Sequence, residues 1–138
     1  MTTQSIESFF EGYAAASLRG DAKVVADHYA GEFIVSGRER SAAYRKDESF
    51  LAWLRGVFER NRAIGMASLE VASIHEHRID DHHAVVTVEW SATFEKTGEE
   101  RIHFSISYLL RLAERMPLIL AYVTHEDEGE LMKAKGLA

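Results

Sequence analysis

A chain of 138 residues, 46% of them hydrophobic, has the length of one domain and enough apolar side chains for its own core. A formal charge of −6 opposes general binding to the phosphate backbone of nucleic acids. The absence of cysteine excludes disulfides, zinc–thiolate sites, iron–sulfur clusters and thiol catalysis, and suits a reducing cytoplasm.

The first residues, "MTTQSIESFFEGY", have no basic start and no long apolar run, so they do not read as a secretory signal. No stretch approaches the roughly 18–20 apolar residues of a membrane span. The expected setting is the cytoplasm, without membrane or nucleic-acid partners.

Ile6, Phe9, Phe10, Tyr13, Ser17 and Leu18 recur at helical spacing and predict an amphipathic helix from Gln4 to Arg19. Gly20 stops it, and Asp21 caps a second helix, "AKVVADHYA". "EFIVSG" reads as a short strand and "RERSAAYRK" as a loop. Asp47 caps a third helix with Phe50, Trp53, Leu54, Val57 and Phe58 on one side.

After Gly65 the period changes to two. Strands are predicted over Ala67–Ile79, His83–Lys96, Glu100–Leu112 and Leu118–Glu126. In the second, Val86, Val88, Trp90, Ala92 and Phe94 alternate with polar residues; in the third, Ile102, Phe104, Ile106, Tyr108 and Leu110 share a face. Such runs are antiparallel strands with one buried face. "KTGEE" and "AERMP" are turns, and Pro117 precedes the last strand, where a missing N–H costs least. The tail "EDEGELMKAKG" reads as a short helix or a frayed end. The fold class is α+β: three N-terminal helices on one face of a strongly curved antiparallel or mixed sheet, a cone-like half-barrel formed by residues 1–138 as one domain.

"IHEHRIDDHH" holds His75, His77, His82 and His83. His75 and His77 share a strand face, which could begin a metal site. Asp80-Asp81 between two β-runs is turn chemistry, however, and the stretch reads as an exposed hairpin end with no metal.

The order helix–helix–strand–helix and then four long strands resembles the nuclear transport factor 2-like superfamily, which includes SnoaL-like cyclases and ketosteroid isomerase. "YAAASLRGD" followed by "VVADHYAGEFIVSG" is similar to that family's first helix, Gly-Asp turn, second helix and first strand. Carried over residue by residue, the isomerase tyrosine falls on Tyr13, its aspartate base on Gly37 and its second aspartate near Tyr108. The isomerase base is therefore missing, and the resemblance implies a cone-shaped cavity that holds two phenols.

Within such a cone, Tyr13 and Tyr108 would donate hydrogen bonds to a carbonyl or enolate oxygen, as an oxyanion hole does. Ile119, Ala121, Val123 and His125 alternate onto one face, which would bring His125 to the cavity mouth as acid or base, with Asp127 to orient it. Phe33, Trp53, Trp90, Phe104 and Val123 would complete an apolar pocket. Each of these residues also has a plain reading as core or surface. The basic excess of Arg38, Arg40, Arg45 and Lys46 would either be solvated or attract an anionic ligand group. The outer sheet face, with Thr87, Ser91, Thr93, Ser105, Ser107, Leu109, Leu118, Leu120 and Tyr122, suits a homodimer contact. The expectation is a cofactor-free domain binding a small apolar, carbonyl-bearing molecule. As an enzyme it would be an isomerase, dehydratase or cyclase. The alternative is a non-catalytic dimeric binding or assembly module.

Overall fold

The computed structural model describes residues 5–112 and 115–137. Helix α1 spans Ile6–Arg19 and begins at Ser5, whose side chain accepts from the Ser8 N–H at 3.1 Å. The predicted start at Gln4 lies outside the described residues. Gly20 ends α1 with φ 77°, a left-handed turn that suits glycine. Asp21 caps α2, Ala22–Ala26, by accepting from Val24 N–H.

Helix α2 is shorter than its sequence suggests. Tyr29 already belongs to strand β1, Tyr29–Ser36, where it pairs with Ile119. The predicted loop 38–46 is also corrected: Ser41–Arg45 form strand β2. A turn closed by the Gly37 N–H on the Arg40 carbonyl reverses the chain, and Phe33 then pairs with Tyr44. Helix α3, Glu48–Ala63, begins at Asp47 as expected and buries Phe50, Leu54 and Phe58.

Strands β3 (Met66–Asp80), β4 (His83–Phe94), β5 (Ile102–Leu112) and β6 (Pro117–Thr124) occupy the four predicted β-runs, and burial alternates most regularly in β4 and β5. A short 3₁₀ turn at Glu95–Thr97 ends β4 before Lys96. The "AERMP" turn lies partly outside the described residues. The tail forms helix α4, Glu128–Ala134, capped by Asp127.

The order across the six-stranded sheet is β2-β1-β6-β5-β4-β3. Every neighbouring pair is antiparallel except β1 with β6, so the sheet is mixed. Its inner face buries Val86, Val88, Trp90, Ile106 and Tyr108, with Phe10 of α1 packed on Trp90 and Tyr108. This is the α+β cone that the sequence predicts. No helix among the described residues is long and apolar enough to cross a membrane.

At the β3–β4 hairpin end, the Asp80 carboxylate accepts from the His82 backbone N–H at 2.8 Å and contacts His83 Nδ1 at 2.9 Å. These bonds hold the Asp80 carboxyl below its usual range. Asp80, His82 and His83 thus form a hydrogen-bonded hairpin end, while His75 and His77 lie along the exposed part of β3.

Candidate functional site

Between the inner sheet face and helices α1, α3 and α4 lies a cavity of about 550 Å³. The sheet contributes Tyr29, Trp90, Phe104, Ile106, Tyr108 and Tyr122. Helix α1 adds Tyr13; α3 adds Trp53, Leu54, Val57 and Phe58; α4 adds Glu128 and Met132. The exposed side chains of Trp53 and Arg60 stand at the rim. A concave, mostly aromatic chamber with a few polar groups is the usual form of a small-molecule site.

The polar groups are mainly phenols. The Tyr13 and Tyr29 hydroxyls are 2.6 Å apart. Trp90 Nε1–H donates to the Tyr108 hydroxyl oxygen at 3.2 Å. Because Tyr108 accepts this bond, its own proton is left for the cavity, and donation into an oxygen strengthens that hydroxyl as a donor. The rings are close: Tyr13–Tyr108 centroids are 6.4 Å apart and Tyr108–Tyr122 centroids 5.7 Å. Burial pushes the Tyr13 phenol up to about 12 and holds Tyr29, Tyr108 and Tyr122 protonated well beyond the ordinary tyrosine range. All four therefore remain neutral donors at physiological pH.

Glu128 is the one carboxylate lining this chamber among the described residues. It is an exposed residue at the start of α4, open to solvent on one side, with protein crowded around the carboxyl on the other. Burial, followed by the nearby Glu126 and Asp127, raises its pKa above the ordinary carboxylate range. Its two acidic neighbours are already engaged: Glu126 accepts from the Ser105 N–H at 2.9 Å, and Asp127 from the Glu130 N–H at 3.0 Å. Glu128 has no ion pair among the described residues. It lines the same cavity as Tyr13, Tyr108 and Tyr122, and its charge helps to raise all three phenols. A carboxyl group poised in this way is suited to proton transfer.

The structure brings together five of the expected residues: Tyr13, Trp53, Trp90, Phe104 and Tyr108. Phe33 lies behind the wall, packed on Tyr29 at 4.6 Å and Phe50 at 4.8 Å. Val123 and His125 are on the opposite side of the sheet. Between Leu109↔Ala121 and Leu110↔Ile119, β6 carries one extra residue, Leu120. That bulge exchanges inward and outward positions along the rest of the strand. Tyr122 therefore turns inward, although its sequence parity pointed outward. His125 Nε2 meets Ser107 Oγ at 2.8 Å on the outer face, and Ser107 in turn meets Thr87.

Tyr29, Tyr122 and Glu128 are among the cavity residues that the sequence did not anticipate: Tyr29 reads as the end of a helix, Tyr122 is hidden by the bulge, and Glu128 lies in a tail with no periodic signal. At Gly37, where the isomerase resemblance would put a base, a side chain would start 2.9 Å from Thr124 Oγ1. The acid of this cavity therefore comes from α4 and not from the end of β1. Of the basic residues in 38–46, Arg38 pairs with Glu130, Arg45 with Glu32, and Lys46 donates to the Tyr29 carbonyl. Arg40 has no ion pair among the described residues.

The profile of the family described as "NTF2-like protein (DUF6841)" matches residues 3–127. The chain belongs to this NTF2-like family. No curated protein matches it. An NTF2-like protein with a cystatin-like fold from Novosphingobium aromaticivorans superposes with a TM-score of 0.70 at 11% identity, covering 96% of this chain and 85% of that one. An NTF-2 like protein of unknown function from Shewanella oneidensis gives 0.65 at 14% identity, covering 84% of this chain and 92% of that one. A hypothetical protein with a ketosteroid isomerase-like fold from Catenulispora acidiphila, in complex with trimethylamine, gives 0.58 at 13% identity, covering 97% and 96%. At these identities the likeness is one of fold.

Proposed function

We propose that this NTF2-like chain binds a small apolar, carbonyl-bearing molecule in its cone and transfers a proton on it without a cofactor. The observation that carries this reading is Glu128: a carboxyl group with a raised pKa that lines the same cavity as a cluster of phenolic donors. In the proposed step, the Glu128 carboxylate takes a proton from the carbon beside the ligand carbonyl. The electron pair moves onto the carbonyl oxygen, which the Tyr108 hydroxyl stabilises by hydrogen bonding, with the Tyr13–Tyr29 pair supplying a second donor. Glu128 then returns the proton to another carbon or to the leaving oxygen, which gives isomerisation or dehydration. The acid–base role expected of His125 passes to Glu128, because the β6 bulge directs His125 away from the cavity.

The test is solvent-deuterium exchange at the carbon next to the carbonyl in a panel of cyclic ketones, followed by NMR. Exchange accelerated by the natural chain and lost in Glu128→Gln supports the reading. Exchange at equal rates in both overturns it.

A second reading is a non-catalytic dimeric module. Its support is the outer sheet face, where the exposed Ile34 and Val123 flank Ala121. Ile34 also pairs across to Ala43, which extends the apolar strip over β2. Such a strip on a sheet is suited to contact with a second copy.

A further inference from the structure

Beside the aromatic chamber lies a second hollow of about 320 Å³, bordered by Arg38, Glu39, Arg40, Tyr44 and Asp127. The two are neighbours in the strict sense: Trp53 and Glu128 line both. A molecule passing between that indole and that carboxyl would occupy both spaces at once. The hollow is unlike the chamber. Its walls mix both signs of charge with aromatic surface.

The aromatic rings are held in place. Trp53 is 49% exposed yet stacks on Phe50, with centroids 6.0 Å apart and planes 18° apart. Tyr44 stacks on Phe33 at 5.8 Å and 21°. Both present a flat face without needing to be ordered by a ligand, which lowers the entropy lost on binding. The charges do not add up to an ion site. Glu39, Glu126, Asp127 and Glu128 oppose a phosphate or carboxylate, and Arg38 and Arg40 oppose a free cation. What remains is a set of donors and acceptors beside an indole face. Neutral hydroxyl groups meet that set best, because each one can donate and accept, and bonds to charged partners are the stronger kind. The C–H face of a hydroxylated ring also packs well on an exposed indole.

We propose that the ligand has two parts: an apolar ring body in the aromatic chamber and a neutral, polyhydroxylated group, such as a sugar, in the adjoining hollow. This rests on the reading of the chamber as a small-molecule site. Arg40, the guanidinium there without an ion pair among the described residues, is the specificity-determining residue for the hydroxylated part.

The experiment titrates the whole chain with β-naphthol, β-naphthyl glucoside and β-naphthyl phosphate, followed by calorimetry. The glucoside should bind about tenfold tighter than naphthol, the ratio that one or two net hydrogen bonds supply. Arg40→Ala should remove that advantage and leave naphthol binding unchanged. Tryptophan fluorescence of the natural chain and of Trp53→Leu provides a second readout, in which the glucoside signal should fall more than the naphthol signal. If naphthol binds but the glucoside binds no tighter, or the phosphate binds tightest, this inference is overturned and the chamber reading stands. If naphthol itself does not bind, both fall.

Discussion

The hydroxyls of Tyr13 and Tyr29, 2.6 Å apart, join the first helix to the first strand at the wall of the cavity. Tyr29 is almost fully buried, so its hydroxyl has little access to bulk water. Removing the Tyr13 hydroxyl strands that partner. Tyr13→Phe should therefore lower stability by about 1–3 kcal/mol, the usual cost of an unsatisfied buried group. The double change with Tyr29→Phe should lose less than the sum of the two single changes. Urea unfolding of all four chains provides the measurement. Strict additivity would mean that the hydroxyls are not coupled.

Glu128 gives a pH signature with a definite sign. Its pKa in the folded chain is above the ordinary value of 4.5. Its favourable contribution is therefore complete below that value and is lost as pH rises through the raised folded pKa. The natural chain should lose stability over that window relative to Glu128→Gln, whose profile should lack this component. Proton-transfer activity should move the opposite way, rising as the carboxylate forms. Melting temperature and exchange rate against pH, measured on both chains, check the two slopes together.

His125 provides the contrasting case. It sits on the outer face and bonds Ser107, an exposed pair. His125→Ala should leave cavity binding and proton transfer unchanged and shift stability by no more than about 0.5 kcal/mol. A large loss of exchange activity in this variant would require His125 to reach the chamber.

The outer face should mediate self-association. Light scattering at tens of micromolar is expected to report twice the 15.6 kDa chain mass. Val123→Asp, which places a charge in the apolar strip, should return the particle to a single chain without altering the cavity, because Val123 faces away from it. A monomer in the natural chain would remove the dimer proposal.

The long strands were legible because their alternation records a one-sided burial that Val86, Val88 and Trp90 satisfy. The caps at Asp21 and Asp47 were equally legible, since each side chain finds the N–H its spacing predicts, whereas Asp127, expected to orient His125, instead caps α4. Parity failed at β6. A single bulged residue leaves hydropathy almost unchanged but reverses every later side chain, so Tyr122 and His125 exchanged places. Strand β2 was missed because Ser41–Arg45 lie at a sheet edge, mostly exposed, with little apolar contrast to mark them. Glu128 left no trace, because burial, the largest cause of its shift, depends on strands distant in sequence, with Glu126 and Asp127 adding the smaller part.

The match to the family ends at residue 127, and the cavity's carboxyl belongs to residue 128, on a short helix fastened to the rest by Lys135 on Glu100 and Lys96 on the Gly136 carbonyl. Most of the cavity wall and this carboxyl thus come from separate stretches of the chain. A lineage could retain the cone and exchange only the closing helix, and a bearer of the same fold with another residue there would inherit the chamber but not its acid. Kinship measured over the shared stretch would then say nothing of which reaction, if any, a given descendant performs.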